Sequence, residues 1–191
     1  SLAIRLKEYL ESKGNKGTLT LSVNPFVPKP FTPFQWAPMC SAEEYKERAR
    51  FVKETFKQEK NWKSLRYQYH DVGTTLMEGV FARGDRRVAD VIEHAYRDGA
   101  IYDAWTEYFD AERWANAFAA CGVDPDFYTQ RTRSTDELLP WDFIDCGVSK
   151  EFLKREWKNA LEGKVTPNCR EHCSGCGATS YQGGVCFENK N

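Results

Sequence analysis

The stretch TLTLSVNPFVPKPFTPFQW (residues 18–36) gives the clearest indication of the fold. Its first part, Leu19–Val23, alternates apolar and polar residues, which predicts a short β-strand. Just before it, apolar residues recur at helical spacing from Leu2 to Leu10, and Gly14 is placed to end that helix. A helix that leads into a strand is one half of a βαβ crossover. No strand pattern precedes the helix, so we expect this chain to be the C-terminal piece of a longer protein.

The proline-rich loop after the strand holds five of the chain's 8 prolines: Pro25, Pro28, Pro30, Pro33 and Pro38. Proline at this density excludes a helix and favours an extended path. Aromatic residues are interleaved along the loop, at Phe26, Phe31, Phe34 and Trp36. Two interpretations are open: a stiff surface loop pinned by its aromatic side chains, or the rigid wall of a binding site at the carboxyl end of a strand.

A second helix and a second strand follow the loop. Ser41 and Glu44 form a capping box, which predicts a helix to about Phe56. The alternating segment Leu65–His70 predicts a strand. His70 is followed by Asp71, and the two are either a proton-transfer pair at the strand end or a hydrogen-bonded structural feature.

From residue 74 onward the pattern is mostly helical. Asp85, Asp110, Asp124 and Ser149 are placed as N-caps. Five aromatic residues of this part are expected in the core: Trp105, Tyr108, Phe109, Trp114 and Phe118. The sequence therefore predicts an α/β fold that is mostly helical.

Three arginines surround the helix break at Gly84: Arg83, Arg86 and Arg87. They are suited to grip a phosphate near a helix N-terminus. The alternative is a solvated face with local ion pairs, because Asp85 is close in sequence.

Composition excludes several classes of protein. The 191 residues suffice for one domain, and 27 Lys and Arg against 28 Asp and Glu give a formal net charge of −1, without a bias toward nucleic acid or acidic membranes. No apolar run approaches the ~20 residues of a membrane span and no secretory signal is present, so no membrane partner is expected. The Cys count of 7 is odd, and four are clustered, which favours a reducing cytoplasm over a secreted disulfide framework.

The four clustered cysteines lie in CREHCSGCGATSYQGGVC: Cys169, Cys173, Cys176 and Cys186. Thiolates at this density can converge on one metal, since each short loop brings the next sulfur within coordination distance. An Fe–S cluster, a structural zinc ion and no metal at all are the three alternatives. His172 is a less suitable fourth ligand than Cys186, because it is adjacent to Cys173.

Several motifs, in one order, connect the chain with a known family. They are NPFVPKPFTPFQW, HD shortly before EGVFARGDRR, DPDFY, LPWDFID with GVSKEFL, and TPNC-x3-C-x2-CG. From about Thr18 to Cys176 the chain resembles the C-terminal portion of large bacterial radical SAM proteins that carry an N-terminal cobalamin-binding domain. The resemblance implies a partial (β/α) barrel, a [4Fe–4S] cluster that cleaves S-adenosylmethionine, and substrates that are mostly unassigned.

The resemblance also implies where functional residues lie. The first strand corresponds to a late barrel strand, so Asn24, Lys29 and Gln35 are expected at the barrel mouth, near cofactor or substrate. We expect His70, at the end of the second strand, to contribute to the same cofactor or substrate site. The family has a His where this chain has Phe31, which places a polar role at that position in doubt.

Three parts are expected: residues 1–71 as the end of the barrel, 72–163 as a helical extension and 164–191 as the Cys-rich tail. The cobalamin domain, the early barrel strands and the motif that binds the SAM cluster are absent from these residues. The rest of the same polypeptide is therefore the expected partner, and the chain alone is expected to be inactive. Uncovered strand edges would also favour a homodimer of the isolated chain.

The spacing C-x3-C-x2-C is also that of the radical SAM cluster, but three features argue against this assignment. In the family that motif follows the first barrel strand, whereas only fifteen residues follow Cys176. The residue before its third cysteine is usually aromatic, and here it is Gly175. Cys186 offers a fourth sulfur, while a SAM cluster keeps one iron free of protein ligands. We therefore expect an accessory four-thiolate site.

Two other functions remain open. One is a stand-alone, metal-stabilised interaction module whose proline-rich loop forms a peptide groove. The other is an accessory in RNA modification, in which Arg83, Arg86 and Arg87 contact phosphate.

Overall fold

The computed structural model describes residues 2–58 and 62–178. This part of the chain is mostly helical, as predicted, with two short strands near its start. The elements are α1 Leu2–Ser12, β1 Leu19–Ser22, α2 Ala42–Lys57, β2 Leu65–Gln68, α3 Val72–Arg83, α4 Arg87–Arg97, α5 Ala111–Cys121, α6 Pro125–Thr129 and α7 Lys150–Leu161. Among the described helices, none is long and apolar enough to cross a membrane.

The two strands are parallel and joined through α2, so they form a βαβ unit. Leu19 of β1 pairs with Leu65 of β2, and the register runs to Ser22 and Gln68. The Val23 amide extends this pairing by donating to the Gln68 carbonyl at 3.0 Å. Both strands lie where the sequence predicts them, each slightly shorter than expected.

The two faces of this sheet differ in polarity. On one face Tyr67 lies beside α2, with its ring centroid 6.0 Å from that of Phe56. Alternation along a strand directs the neighbouring side chains to the opposite face. That face is exposed and polar, and it consists of Thr20, Ser22, Arg66 and Gln68.

Side-chain caps begin most of the helices. Ser41 Oγ accepts from the Glu44 amide at 3.1 Å, as the capping box predicts. Glu44 pairs through its carboxylate with Arg48, one turn further along α2. The predicted caps Asp110, Asp124 and Ser149 also accept from amides in the first turns of α5, α6 and α7.

The predicted cap at Asp85 is wrong by one position. The N-cap residue of α4 is Arg86, which makes no side-chain capping bond. Asp85 instead accepts from the Arg87 amide at 2.9 Å. The carboxylate also engages the Arg87 guanidinium, so the local ion pair competes with standard capping geometry.

The first of two cores lies among α3, α4, α5 and α6. Its buried residues are Met77, Val80, Val88, Val91, Ala95, Trp114, Ala117, Phe118 and Tyr128, with Phe109 partly buried against them. The prediction that Trp105 and Tyr108 belong to the core is wrong, since they are 61% and 58% exposed. They occupy a turn segment between α4 and α5, where no helical periodicity directs side chains inward.

The second core joins the proline-rich loop to the C-terminal helix. Trp36 ends a 3-10 turn, Pro33–Trp36, and packs with Leu139, Trp141 and Leu153. This part of the proline-rich loop is therefore an interior element. This core contains Trp36, from the part of the chain expected to end at residue 71, together with Leu139, Trp141 and Leu153 from the expected helical extension.

The first helix presents much of its apolar surface outward. Leu2, Leu6 and Tyr9 are exposed, whereas Ala3 and Lys7 are the buried residues of α1. Lys7 Nζ donates to the Gly17 carbonyl, which compensates for its burial. The inward side of α1 is thus less apolar than its outward side.

Candidate functional site

The carboxyl ends of the two strands are held together by two of the residues expected at the site. Asn24 Oδ1 accepts from the His70 amide at 3.2 Å. The Tyr45 hydroxyl of α2 donates to the His70 carbonyl at 3.2 Å. Burial, followed by the neighbouring Tyr67 and Tyr69, raises the pKa of Tyr45 to about 12, so the hydroxyl remains a donor at neutral pH. The backbone of His70 is therefore fixed on both sides.

A cleft of about 650 Å³ opens beside these strand ends. Two of the expected site residues, Lys29 and His70, line it. The other lining residues are Thr74, Thr75, Met77, Glu78, Phe81, Ala82, Asp103, Ala104, Phe109 and Trp114. Its size and its mixture of apolar walls with a few polar groups are typical of sites for small organic molecules.

One polar pair spans the cleft between the proline-rich loop and α3. Lys29 Nζ forms an ion pair with the Glu78 carboxylate, and both side chains are about half exposed. Because the pair is solvated, it costs little to separate, and both groups are available to a ligand. Sequence reasoning missed Glu78, although it lies inside the motif EGVFARGDRR.

The facing wall is fixed by a tryptophan and an aspartate that sequence reasoning did not connect. Trp114 Nε1 donates to Asp103 Oδ1 at 3.0 Å, and Arg113 Nη1 lies 3.5 Å from the same oxygen. A Cβ added at Gly73 would lie 2.5 Å from Phe109 Cε1, so glycine permits the close approach of α3 to this wall. No local pattern relates these positions, since Asp103 meets Trp114 through the folding of the α4–α5 segment onto α5, and Gly73 of α3 meets Phe109 of the same segment.

Gln35, the remaining residue expected at the mouth, is buried in the second core. Its Oε1 accepts from Trp141 Nε1 at 2.8 Å and from the Phe31 amide at 3.1 Å. Both acceptor positions of this oxygen are thus used by protein donors. The structure brings Asn24, Lys29 and His70 to the strand ends and places Gln35 in the interior.

The Asp that follows His70 has a structural role. Asp71 caps α3, and its Oδ1 accepts from the Thr74 amide at 3.0 Å. This bond supports the structural interpretation of the His70–Asp71 pair over the proton-transfer one.

The three described cysteines of the tail follow α7. Cys169 and Cys173 are exposed, Cys176 is half-buried, and all three are free thiols. Cys186 lies outside the described residues. Within residues 2–58 and 62–178, no group of three or more His, Cys, Asp and Glu side chains is arranged to hold a metal. Cysteine thiolates are suitable ligands for zinc or an Fe–S cluster. That the four cysteines of the tail converge on one metal stays a prediction.

The tail segment is docked on the start of α7. The Ser149 amide donates to the Cys176 carbonyl at 2.8 Å. A Cβ at Gly177 would lie 3.0 Å from the Gly147 carbonyl. Cys146 precedes Gly147 in the sequence, so its backbone adjoins this contact. Cys146 is an exposed free thiol. The spacing of the tail cysteines gives no indication that Cys146 is a further candidate ligand.

The three arginines around Gly84 do not share one environment. Arg83 is fully buried, and its Nη2 donates to the Gln35 carbonyl at 3.5 Å. Arg87 is engaged by Asp85. Arg86 is exposed. The hypothesis that all three arginines grip one phosphate is therefore wrong, because Arg83 is buried and cannot reach a ligand at the surface.

The buried Arg83 has a second buried arginine, Arg133, beside it. Arg133 Nη1 donates to the Tyr128 carbonyl at 3.1 Å, and its Nη2 lies 3.5 Å from the Arg83 carbonyl. Burial, followed by the neighbouring positive charges, lowers the pKa of each guanidinium to about 10.

Comparisons with known proteins return no relatives. No family model matches this sequence, no curated protein matches it, and no solved structure matches it. Function is therefore inferred from the residues and geometry described above.

Proposed function

We propose that this chain is the C-terminal part of a radical SAM enzyme of the cobalamin-binding type, with an accessory metal site in its Cys-rich tail. The series of motifs between Thr18 and Cys176 carries the family assignment, and the β1–α2–β2 unit is the structural observation that supports it. Parallel strands joined through helices are the repeating unit of (β/α) barrels. Two strands alone form a sheet of marginal stability, and the sheet of the described residues has only these two. Further strands supplied by the upstream polypeptide would complete it.

The polar sheet face supports this assignment. Thr20, Ser22, Arg66 and Gln68 are exposed on the face opposite α2. In a barrel with outer helices, that face lines the interior. Hydroxyl, amide and guanidinium groups there are suited to a polar cofactor or substrate, whereas a barrel packed only with side chains would need apolar residues.

The outward apolar side of α1 also fits a missing neighbour. Leu2, Leu6 and Tyr9 are exposed along one helix. Apolar surface of this kind marks contacts with other protein segments. The upstream barrel is the neighbour that the proposal supplies.

The cleft provides the substrate side of the proposal. S-adenosylmethionine, its [4Fe–4S] cluster and cobalamin would be held upstream and would supply the radical chemistry. In this chain, Lys29 and His70 can donate hydrogen bonds to a substrate, and Glu78 can accept them. Phe109 and Trp114 offer apolar contact. Their placement beside the carboxyl ends of the strands is the usual location of sites in barrels.

A peptide-binding module is the second candidate. A groove of about 570 Å³ runs between the proline-rich loop and α2, lined by residues that include Pro25, Phe26, Pro38 and Phe51. Phe51 is exposed, although it is large and apolar. This groove is suited to an extended apolar peptide.

The gene and the longer polypeptide test the proposal. We expect a C-x3-C-x2-C motif upstream of Ser1, and we expect the longer polypeptide, purified without oxygen, to cleave S-adenosylmethionine to 5′-deoxyadenosine. This chain alone is expected to be inactive. An upstream region without that motif, or turnover by this chain alone, would overturn the proposal. A native start codon immediately before Ser1 would support the peptide-binding module instead.

A further inference from the structure

Four large apolar side chains are exposed within eight residues between α4 and α5. Ile101, Tyr102, Trp105 and Tyr108 are 64%, 63%, 61% and 58% exposed. We call Tyr102, Trp105 and Tyr108 the aromatic patch. Exposed apolar surface that is concentrated in this way is typical of interaction sites, whereas single exposed residues are not.

The segment that carries the aromatic patch is held in a defined conformation. Successive turns are closed by bonds from the Trp105 amide to the Tyr102 carbonyl and from the Tyr108 amide to the Trp105 carbonyl, each 2.9 Å. The Tyr102 and Tyr108 rings lie 5.9 Å apart between centroids. Asp103 anchors the segment to α5 through Trp114. The rings are therefore presented from a fixed backbone, which reduces the entropy lost when they bind.

The sequence that carries the aromatic patch is acidic between Arg97 and Arg113. The fifteen residues from Asp98 to Glu112 include no Lys or Arg and five carboxylates: Asp98, Asp103, Glu107, Asp110 and Glu112. Asp103 and Asp110 lie near Arg113, while Glu107 is exposed between Trp105 and Tyr108. Phosphate-rich ligands are disfavoured here, because nucleic-acid binding depends on cationic side chains. A cationic ligand is favoured by both the carboxylates and the ring faces.

We propose that the aromatic patch binds an arginine-bearing segment of a partner protein. The planar guanidinium stacks on aromatic faces and is more weakly hydrated than an ammonium, so it suits flat, exposed rings better than Lys does. Glu107, which is adjacent to Tyr108 in the sequence, supplies an exposed carboxylate in the same segment. This binding site lies outside the proposed barrel, and its occupation does not depend on radical chemistry or on a metal.

The test uses three capped hexapeptides in which glycine alternates with arginine, lysine or citrulline. Citrulline preserves the shape of arginine without its charge. Titration calorimetry with the purified chain at low salt is expected to give the tightest binding for the arginine peptide. Binding is expected to be about threefold weaker for the lysine peptide and at least about tenfold weaker for the citrulline peptide.

Variants locate the binding. Trp105→Ala is expected to weaken binding of the arginine peptide about tenfold. Glu107→Gln is expected to weaken this binding about threefold and to make it less dependent on salt. Phe143→Ala is the matched control, since Phe143 is 85% exposed and lies outside the patch. Circular dichroism and urea unfolding check that the variants fold, which is expected because the altered side chains are on the surface.

Several outcomes would overturn the proposal. Equal binding of the arginine and citrulline peptides would remove the role of charge. Equal losses of affinity for the arginine peptide in Trp105→Ala and Phe143→Ala would show that the aromatic patch is not the binding site. If the arginine peptide does not bind and the chain instead self-associates in a way that Trp105→Ala abolishes, the patch is a contact between copies of this chain.

Discussion

Trp141 Nε1 donates to Gln35 Oε1 at 2.8 Å and so connects two buried side chains that lie 106 positions apart. The same oxygen accepts from the Phe31 amide. Phe31 has a φ of 59°, a left-handed conformation that is unusual for a residue other than glycine. Gln35 therefore fixes the proline-rich loop against the second core, and through that loop it helps to position Lys29 at the cleft.

Replacing Gln35 with Leu is expected to destabilise the protein by about 2–4 kcal/mol, because one buried and one partly buried donor lose their acceptor while the volume stays similar. Urea unfolding measures the difference. Gln58→Leu is the control, since Gln58 lies exposed after α2. Equal effects of the two substitutions would contradict the structural role of Gln35.

The stability of the protein is expected to depend on Asp85 at acid pH. Hydrogen bonds from the Arg87 side chain lower the pKa of Asp85 to about 2, against a smaller opposing effect of burial. Because this folded pKa is below the ordinary value of about 3.9, ionised Asp85 stabilises the fold. The contribution is fully present above about pH 5 and is lost as the pH falls toward 2.

Asp85→Asn is therefore expected to lower the unfolding free energy by about 1–2 kcal/mol at neutral pH, allowing for partial exposure of the ion pair. The difference from wild type is expected to shrink as the pH falls from 5 to 2. Unfolding curves across this range check it, with Asp90→Asn on the exposed side of α4 as the control. A difference that is constant with pH would contradict the role of Asp85.

Gly79 is expected to be required for the packing of α3 on the proline-rich loop. A Cβ at this position would overlap Met39 Sδ and would lie 3.2 Å from Thr129 Cγ2, and both neighbours are buried. Gly79→Ala is expected to destabilise by about 1–3 kcal/mol in spite of the better helix propensity of alanine. The double variant with Met39→Ala should lose less than the sum of the single losses, and additive losses in urea unfolding would argue against the overlap.

Cys173→Ser is expected to reduce both metal content and stability. Anaerobic purification followed by metal and sulfide analysis should give iron with acid-labile sulfide for an Fe–S cluster, or one zinc per chain without sulfide for a structural zinc site. The substitution removes a thiolate, so the metal and its contribution to folding are lost together.

Cys121→Ser is the control for this experiment, because Cys121 ends α5 and lies in a different part of the sequence. Cys146→Ser tests whether the Cys146 thiol also contributes to metal binding. A wild-type protein that retains no metal, or a Cys173→Ser variant with unchanged metal content, would contradict the accessory site.

Much of the local structure could be predicted from the sequence. Ser41, Asp110 and Ser149 begin helices as expected, because a cap needs only residues two or three positions away. The parallel strands were also predictable, since alternation and a helix between them are local patterns. The placement of Asn24 and His70 at adjacent strand ends follows from that topology.

The sequence by itself thus determined the helices, most of their caps and the βαβ unit, whose signals span only a few residues. The tertiary structure alone decided that Gln35 is buried, that Trp105 is exposed, that Arg83 is withdrawn from solvent and that Asp103 meets Trp114. These outcomes depend on which surfaces pack together, and the bonded partners are 11 positions apart for Asp103 and Trp114 and 106 for Gln35 and Trp141. Residue type does not specify that packing, because the same tryptophan or arginine is stable in the interior or on the surface, according to the partners it finds there.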